Sequence, residues 1–330
     1  MSRLADFVRI LGRGPSRARS LTRDEAREAM TLILSGEAER EAVGALLMLM
    51  RYRGETAAEI AGFVDAARAG LGDWAQVSAD LDWPSYAAGR SRGLPWFLLS
   101  AKLVAGAGYR TVLHGWNSHQ GTGADVRAAL AGLNIPVADT PAALADALDG
   151  SRIAYLPLEA LSPDLFDLLR LRDSLGLRSA VNTVLRVLNP CRAPAGVQGV
   201  FHPPYRDLQQ EAALLLGQPR VMILKGGGGE FERHPSKSVD LYGVLDGVAV
   251  SETAMPLTAD KRRLADTAPD ARDLPALWRG DLDDPFAEAV VTGTAAAALL
   301  AAGHAGDMAL AQREAVRLWR NRADPERKCA

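Results

Sequence analysis

The apolar positions of the first eighty residues recur with a helical period. Ala26, Met30, Ile33 and Leu34 follow Thr22 and Glu25, a capping-box pair, and the segment stops at Gly36. Glu41 to Tyr52 is a second helix, so rich in apolar residues (Val43, Leu46, Leu47, Met48, Leu49, Met50) that one neighbour cannot cover it. Another helix of the same domain or a partner subunit has to. Thr56 and Glu59 cap a third helix, Ala57 to Ala69, which ends at Gly70. The middle of the chain follows a different rhythm, in which short Val- and Ile-rich runs alternate with helix-length segments and Gly- or Pro-marked turns. Candidate strands are Arg110–His114, Ile153–Leu156, Gly199–Phe201, Arg220–Lys225 and Val239–Val244. Candidate helices are Pro95–Gly106, Thr122–Leu133, Pro141–Leu148, Pro163–Leu175 and Tyr205–Leu216. Asp283–Arg322 is helical again, with a small-residue helix Ala287–Ala302 and an amphipathic Ala305–Arg320. The pattern predicts a small all-helical N-terminal domain over 1–78, completed by helices within about 163–186. A larger α/β domain over 79–330 then has a mostly parallel central sheet flanked by helices.

Composition changes this picture little; charge changes it more. At 48% hydrophobic and 24% charged residues the chain is ordinary globular protein. No apolar run reaches the roughly 20 residues of a membrane span. The opening MSRLADFVRILGRG lacks the apolar core of a secretory signal, and the two cysteines, Cys191 and Cys329, suggest neither a disulfide framework nor a CxxC metal site. A cytoplasmic location is the expectation. The net charge is only -2, yet two long windows hold no Asp or Glu: Trp83–Ala124, 42 residues, and Ser174–Arg206, 33 residues. Eight of the 38 basic residues lie in those windows, leaving 30 against 40 acidic ones elsewhere. The positive charge is segregated, and a polyanion responds to such a local field rather than to the average. Buried strands and small-residue helices also lack acids, so the windows alone leave both readings open.

Four stretches carry a family resemblance. They are LTRDEAREAMTLILSGEAEREAVGALLMLMRYRGETAAEIAGF (Leu21–Phe63), KLVAGAGYRTVLHG with SHQGTGADVRAAL, LRDSLGLRSAVNTVLRVLNP (Leu171–Pro190), and the alanine-rich C-terminal helices. In this order they resemble the anthranilate phosphoribosyltransferase family over nearly the full length. The resemblance implies a helical domain joined to an α/β domain, a site in the cleft between them, and a homodimer through the N-terminal helices. For an active member it also implies magnesium with phosphoribosyl pyrophosphate. His114, Gly115 and Asn117 match part of the family's Lys-His-Gly-Asn-Arg-Ser loop. Arg172 aligns with the arginine that meets the anthranilate carboxylate. Together these four would form a residual small-molecule site.

Other family motifs are altered. The Gly-Thr-Gly-Gly-Asp pyrophosphate loop reads Tyr86-Ala87-Ala88-Gly89-Arg90, and Gly121–Gly123, although GTG, stands at a helix start. In place of an adjacent Asp-Glu magnesium pair the chain has Glu230 and Glu232, split by Phe231 and followed by Arg233, a poor arrangement for a divalent cation. The run Lys225–Lys237 resembles the replacement found in the family's YbiB-like nucleic-acid-binding branch. Its glycines read as a flexible loop that presents cations to phosphates. The leading expectation is therefore a non-enzymatic, sequence-independent nucleic-acid binder (single-stranded DNA or RNA) that needs no cofactor and meets no membrane. Its groove would be lined by Arg90, Arg92, Arg178, Arg206, Lys225, Arg233 and Lys237, with Trp116 and Tyr205 stacking on bases. The alternative is a glycosyltransferase related to anthranilate phosphoribosyltransferase with an altered substrate. A third reading is an inactive paralogue that regulates a partner through the helical face.

Overall fold

The computed structural model describes residues 3–14, 16–86, 93–116, 125–264, 270 and 272–322. Four helices open the chain: α1 (Arg3–Gly12), α2 (Arg23–Leu34), α3 (Arg40–Arg53) and α4 (Ala57–Ala69). Both capping boxes form. The Thr22 hydroxyl accepts from the Glu25 amide while Glu25 accepts from the Thr22 amide, and Thr56 and Glu59 repeat the exchange. The second carboxylate oxygen of buried Glu59 accepts from the Leu21 amide at 2.8 Å, so one cap also fixes the entry to α2. The wide apolar face of α3 meets α1, where Gly12 lets Leu49 close in.

The remainder runs β1 (Leu81–Ser85), α5 (Phe97–Gly106), β2 (Thr111–Gly115), α6 (Val126–Leu130), α7 (Pro141–Ser151), β3 (Ile153–Pro157), α8 (Leu158–Leu161), α9 (Pro163–Arg170), α10 (Arg172–Leu175) and α11 (Val181–Val187). It continues through β4 (Ala195–Val200), α12 (Tyr205–Leu215), β5 (Arg220–Lys225), β6 (Val239–Leu245), β7 (Val248–Ala254), α13 (Asp273–Arg279), α14 (Pro285–Ala301) and α15 (Met308–Arg320). One seven-stranded sheet has the order β3-β2-β1-β4-β5-β6-β7, parallel from β3 through β5, with β6 and β7 added antiparallel. Alanine-rich α14 is buried along most of its length against α5, α15, β4 and β5. On the other side α9 and α11 join the core of α1–α4. No described helix is long and apolar enough to cross a membrane.

Several elements differ from expectation for identifiable reasons. β1 escaped notice because Asp82 and Pro84 break its apolar run. Its ladder with β4 ends at Asp82, so the proline sits beyond the last rung on that side. β4 begins at Ala195, four residues early, because Gly196 and Gln198 mask a strand buried on both faces. β7 is an exposed edge strand with too little apolar pattern to announce itself. The long helix expected over Pro163–Leu175 is broken at Leu171 into α9 and α10, and the one over Thr122–Leu133 is described only as α6 and a 3-10 turn, Ala131–Leu133.

Gly62 on α4 faces α2, where an added Cβ would overlap the Arg23 carbonyl oxygen and Ala26. Gly62→Val should therefore lower stability by about 1–3 kcal/mol. The expected readout is a lower denaturant midpoint with an unchanged slope.

Candidate functional site

The strand order reverses at β1. From it the chain steps to β2 and β3 on one side and crosses to β4 and β5 on the other. In open α/β sheets ligands bind outside the carboxyl ends of strands at such a switch point. Here β1 and β4 share only two register pairs, Leu81 with Ala195 and Asp82 with Gly196, so their carboxyl ends splay apart. Arg186 of α11 fills the gap. It is buried, and its Nη2 donates to the Tyr86 carbonyl just beyond β1, while Nη1 donates to the Asn182 carbonyl at 3.1 Å. Burial pulls this guanidinium down to about 10.

Arg186 faces a cavity of about 70 Å³, lined also by Arg51 from α3, Arg178 and Asn182 beside and on α11, and His202 and Tyr205 where α12 begins. Helical and α/β elements thus both contribute to it. Arg178 is half-buried and has no hydrogen bond or ion pair to the described residues. Burial, then Arg172 and Arg51, depress its ionisation. Arg51 Nη1 donates to the Tyr205 hydroxyl at 2.9 Å, and that hydroxyl donates to Glu55 at 3.0 Å. Burial, reinforced by Glu55, pushes the Tyr205 phenol up to about 12, so it stays protonated. Beneath Arg186, Tyr86 is itself fixed. Its hydroxyl lies 2.9 Å from His114 Nδ1, and His114 Nε2 lies 3.2 Å from Asp82 Oδ1, all three side chains being buried between β1 and β2.

The residues expected to form the site divide sharply. Arg178 and Tyr205 line the cavity, and Arg172 lies in the adjoining surface depression beside Arg51 and Arg178, with Asp173 at 3.6 Å. Lys225 and Lys237 are exposed, and Lys225 ends β5 opposite Val200, next to exposed Phe201. Arg206 turns away to the Tyr242 ring and Asp240. Trp116 packs edge-on against Phe166 at 5.5 Å. His114 and Gly115 are buried in β2, with Gly115 pressed against the Ser85 carbonyl. Arg90, Arg92 and Asn117 lie outside the described residues.

Arg233 corrects the sequence reading. It is only 2% exposed, and its guanidinium bonds to Gln312 and the Met255 carbonyl while its amide donates to Thr294. It ties the β5–β6 connection to α14 and α15 and cannot reach an external phosphate. The glycine run before it is likewise a packed turn, since a Cβ on Gly226 would overlap the Glu230 carbonyl. Sequence reasoning missed Arg51, Asn182, Arg186 and His202 as members of one site. The available signal was Arg186 itself, a lone cation in the apolar run VNTVLRVL.

Magnesium does not fit the residues present. Glu230 and Glu232 are both buried, and Glu232 Oε2 accepts the Phe97 amide at 3.0 Å, so it serves the N-terminus of α5. No group of three or more His, Cys, Asp or Glu among the described residues is placed to hold a metal ion.

A helical bundle joined to a mostly parallel sheet, with an arginine-lined cleft at the switch point, defines a glycosyltransferase-type architecture. Residues 5–69 match the family model described as the helical bundle domain of the glycosyl transferase family. An anthranilate phosphoribosyltransferase of Halobacterium salinarum is 30% identical over 297 residues, covering 86% of each chain. That of Rhodopseudomonas palustris is 29% identical over 318 residues, covering 92% of this chain and 91% of the relative. The chain belongs to the anthranilate phosphoribosyltransferase family. Its fold is that of the Thermus thermophilus enzyme (TM-score 0.73, 23% identity, all of both chains). It is also that of the Saccharomyces cerevisiae enzyme solved with phosphoribosyl pyrophosphate and magnesium (TM-score 0.79, 14% identity, 98% and 95% of the two chains).

If Glu232 caps α5, Glu232→Ala should cost about 1–3 kcal/mol by leaving a buried amide without its acceptor. Thermal denaturation would show this; an unchanged melting temperature would remove the structural role.

Proposed function

We propose that the protein is a glycosyl-transfer enzyme related to anthranilate phosphoribosyltransferase but with an altered substrate. It works in the cleft between the helical unit and the sheet. The observation that carries this reading is the position of Arg186, a buried cation fixed at the β1–β4 switch point and facing a cavity built from both units. Transfer from a phosphorylated pentose breaks the bond between the anomeric carbon and the leaving oxyanion, and negative charge grows on that oxyanion. Guanidinium N–H groups already held in place can neutralise it without a divalent cation. The Tyr86 hydroxyl, held 2.9 Å from His114 Nδ1, helps to fix the residue whose carbonyl orients Arg186. The altered pyrophosphate loop and the structural use of Glu232 support a donor or acceptor other than the family's usual pair. The test is a panel of pentose phosphates, with and without magnesium, read by thermal shift and by release of phosphate or pyrophosphate. At least one donor should stabilise the protein and turn over, with turnover falling roughly 100-fold in Arg186→Gln. Absence of both stabilisation and release across the panel would overturn the reading.

A second reading is favoured by a specific observation. Lys225 and Lys237 are exposed, and Lys225 stands in register with Val200, whose chain neighbour Phe201 is an exposed aromatic lining the cavity. This arrangement suits the YbiB-like, sequence-independent binding of a single-stranded nucleic acid. A dimer through the N-terminal helices would lengthen such a track. Lys225→Glu with Lys237→Glu should weaken retardation of short single-stranded DNA on a gel for every sequence. The salt dependence should become shallower by roughly one to two units. Retardation equal to that of the unmodified protein would eliminate these lysines as contacts.

A further inference from the structure

Three buried or half-buried arginine environments invite comparison. Arg68 is spent on the carbonyls of Leu188 and Val187, and the small cavity beside it, about 10 Å³, also holds Asp82 as a countercharge. Arg233 is spent on Gln312 and Met255 and stands without another arginine beside it. Arg186 differs from both. It meets only two carbonyls, opens into a cavity of about 70 Å³, and shares that cavity with Arg178 and Arg51. Among the described residues none of these three guanidiniums is in hydrogen-bond or ion-pair contact with a carboxylate, although Glu230 favours the charged form of Arg186 from further off; Arg51 has a phenol hydroxyl and Arg178 nothing. Arg186 is buried, Arg178 half-buried and Arg51 exposed, and cations gathered around a buried one repel it unless an anion joins them.

We infer that the cavity around Arg186 is a metal-independent site for one tetrahedral oxyanion, held by Arg186, Arg178 and Arg51. The ligand is the phosphate of a sugar phosphate, or inorganic phosphate. This deepens the transferase reading and rests on its cleft, but not on turnover. Size sets the scale of the ligand. The cavity is several times the ~10–15 Å³ that one water needs, yet far below the ~300–1,000 Å³ of a whole-ligand pocket. It takes one anionic group while the remainder of the molecule lies in the open cleft. Charge sets the type. Three guanidiniums offer more donors than a planar monoanionic carboxylate can accept, whereas a dianion with several acceptor oxygens can engage all three. Asn182 adds a neutral side chain to the lining, 8% exposed. Glu232, whose Oε2 accepts the Phe97 amide, cannot offer both oxygens to a bridging cation.

The experiment is calorimetry and thermal shift on the full chain with inorganic phosphate and with ribose 5-phosphate, in the presence of EDTA and against potassium chloride at matched ionic strength. Phosphate should raise the melting temperature beyond the chloride control, and EDTA should not reduce the effect. Tighter binding of ribose 5-phosphate would identify an ester as the natural ligand, and equal binding would identify the free ion. Arg186→Gln and Arg178→Gln should each weaken phosphate at least tenfold. Half-buried Arg178 makes no hydrogen bond or ion pair to the described residues, so its variant should fold with an unchanged or raised melting temperature in the absence of ligand. A shift no larger than that of chloride, or undiminished phosphate binding by Arg178→Gln, overturns the site. Phosphate binding without any glycosyl transfer would leave the site standing and remove the transferase reading. Transfer with undiminished phosphate binding by both variants would do the reverse.

Discussion

The hydrogen bond from Arg186 to the Tyr86 carbonyl is the contact on which the cleft depends. It sits where β1 and β4 part, after only two register pairs. A carbonyl left there without a partner would carry a desolvation cost, and an apolar side chain from α11 could not answer it. The guanidinium satisfies the carbonyl, yet it brings a charge into the interior beside two further arginines. Removing such an ion from water costs several kcal/mol by itself. Arg233 carries a similar cost in a structural joint, but Arg186 opens into a cavity that it shares with two further arginines, and that arrangement makes most sense with an anion as its complement.

The same reasoning explains why the carboxylates near β5 do a different job. Glu232 gives its oxygen to the first amide of α5, a helix that would otherwise present an unsatisfied, partly positive end at the sheet's edge. The helix end is thereby occupied by an internal anion. Phe231 between the two glutamates packs edge-on against Trp83 at 5.5 Å, so the intervening residue belongs to the core. What reads in sequence as a damaged metal loop is, in three dimensions, a structural joint between β5, α5 and α14. Arg233 completes that joint, and its burial removes it from any external contact.

Architecture was legible from periodicity and caps. The two capping boxes, the parallel run of strands and the alanine-rich α14 all follow from local patterns that survive folding. β1 was not, because its strand character comes from burial between β2 and β4 rather than from its own residues. The site was half legible. Arg178 and Tyr205 lie in segments whose charge and aromaticity stood out. Arg51 and Arg186 come from helices 135 positions apart, and only tertiary packing brings them to one cavity. Charge counting along a sequence also cannot tell an exposed lysine such as Lys225 from a buried arginine such as Arg233, because it carries no measure of depth.

The depth of each cation also separates the two functional readings. A polyanion is held by a row of exposed charges that act through screened, long-range attraction, with counterion release as the driving force. Lys225 and Lys237 are of this kind, whereas Arg186 is not. A buried guanidinium in a small cavity is screened little by salt, selects by shape and donor geometry, and contributes almost nothing to steering a long chain. A polyanion binder would gain nothing from placing its most costly cation where only one phosphate can reach. A protein that must hold a single phosphate still while a bond beside it breaks would gain from that placement, since a donor fixed before the reaction need not reorganise during it. The exposed lysines can coexist with that task, but they do not account for Arg186.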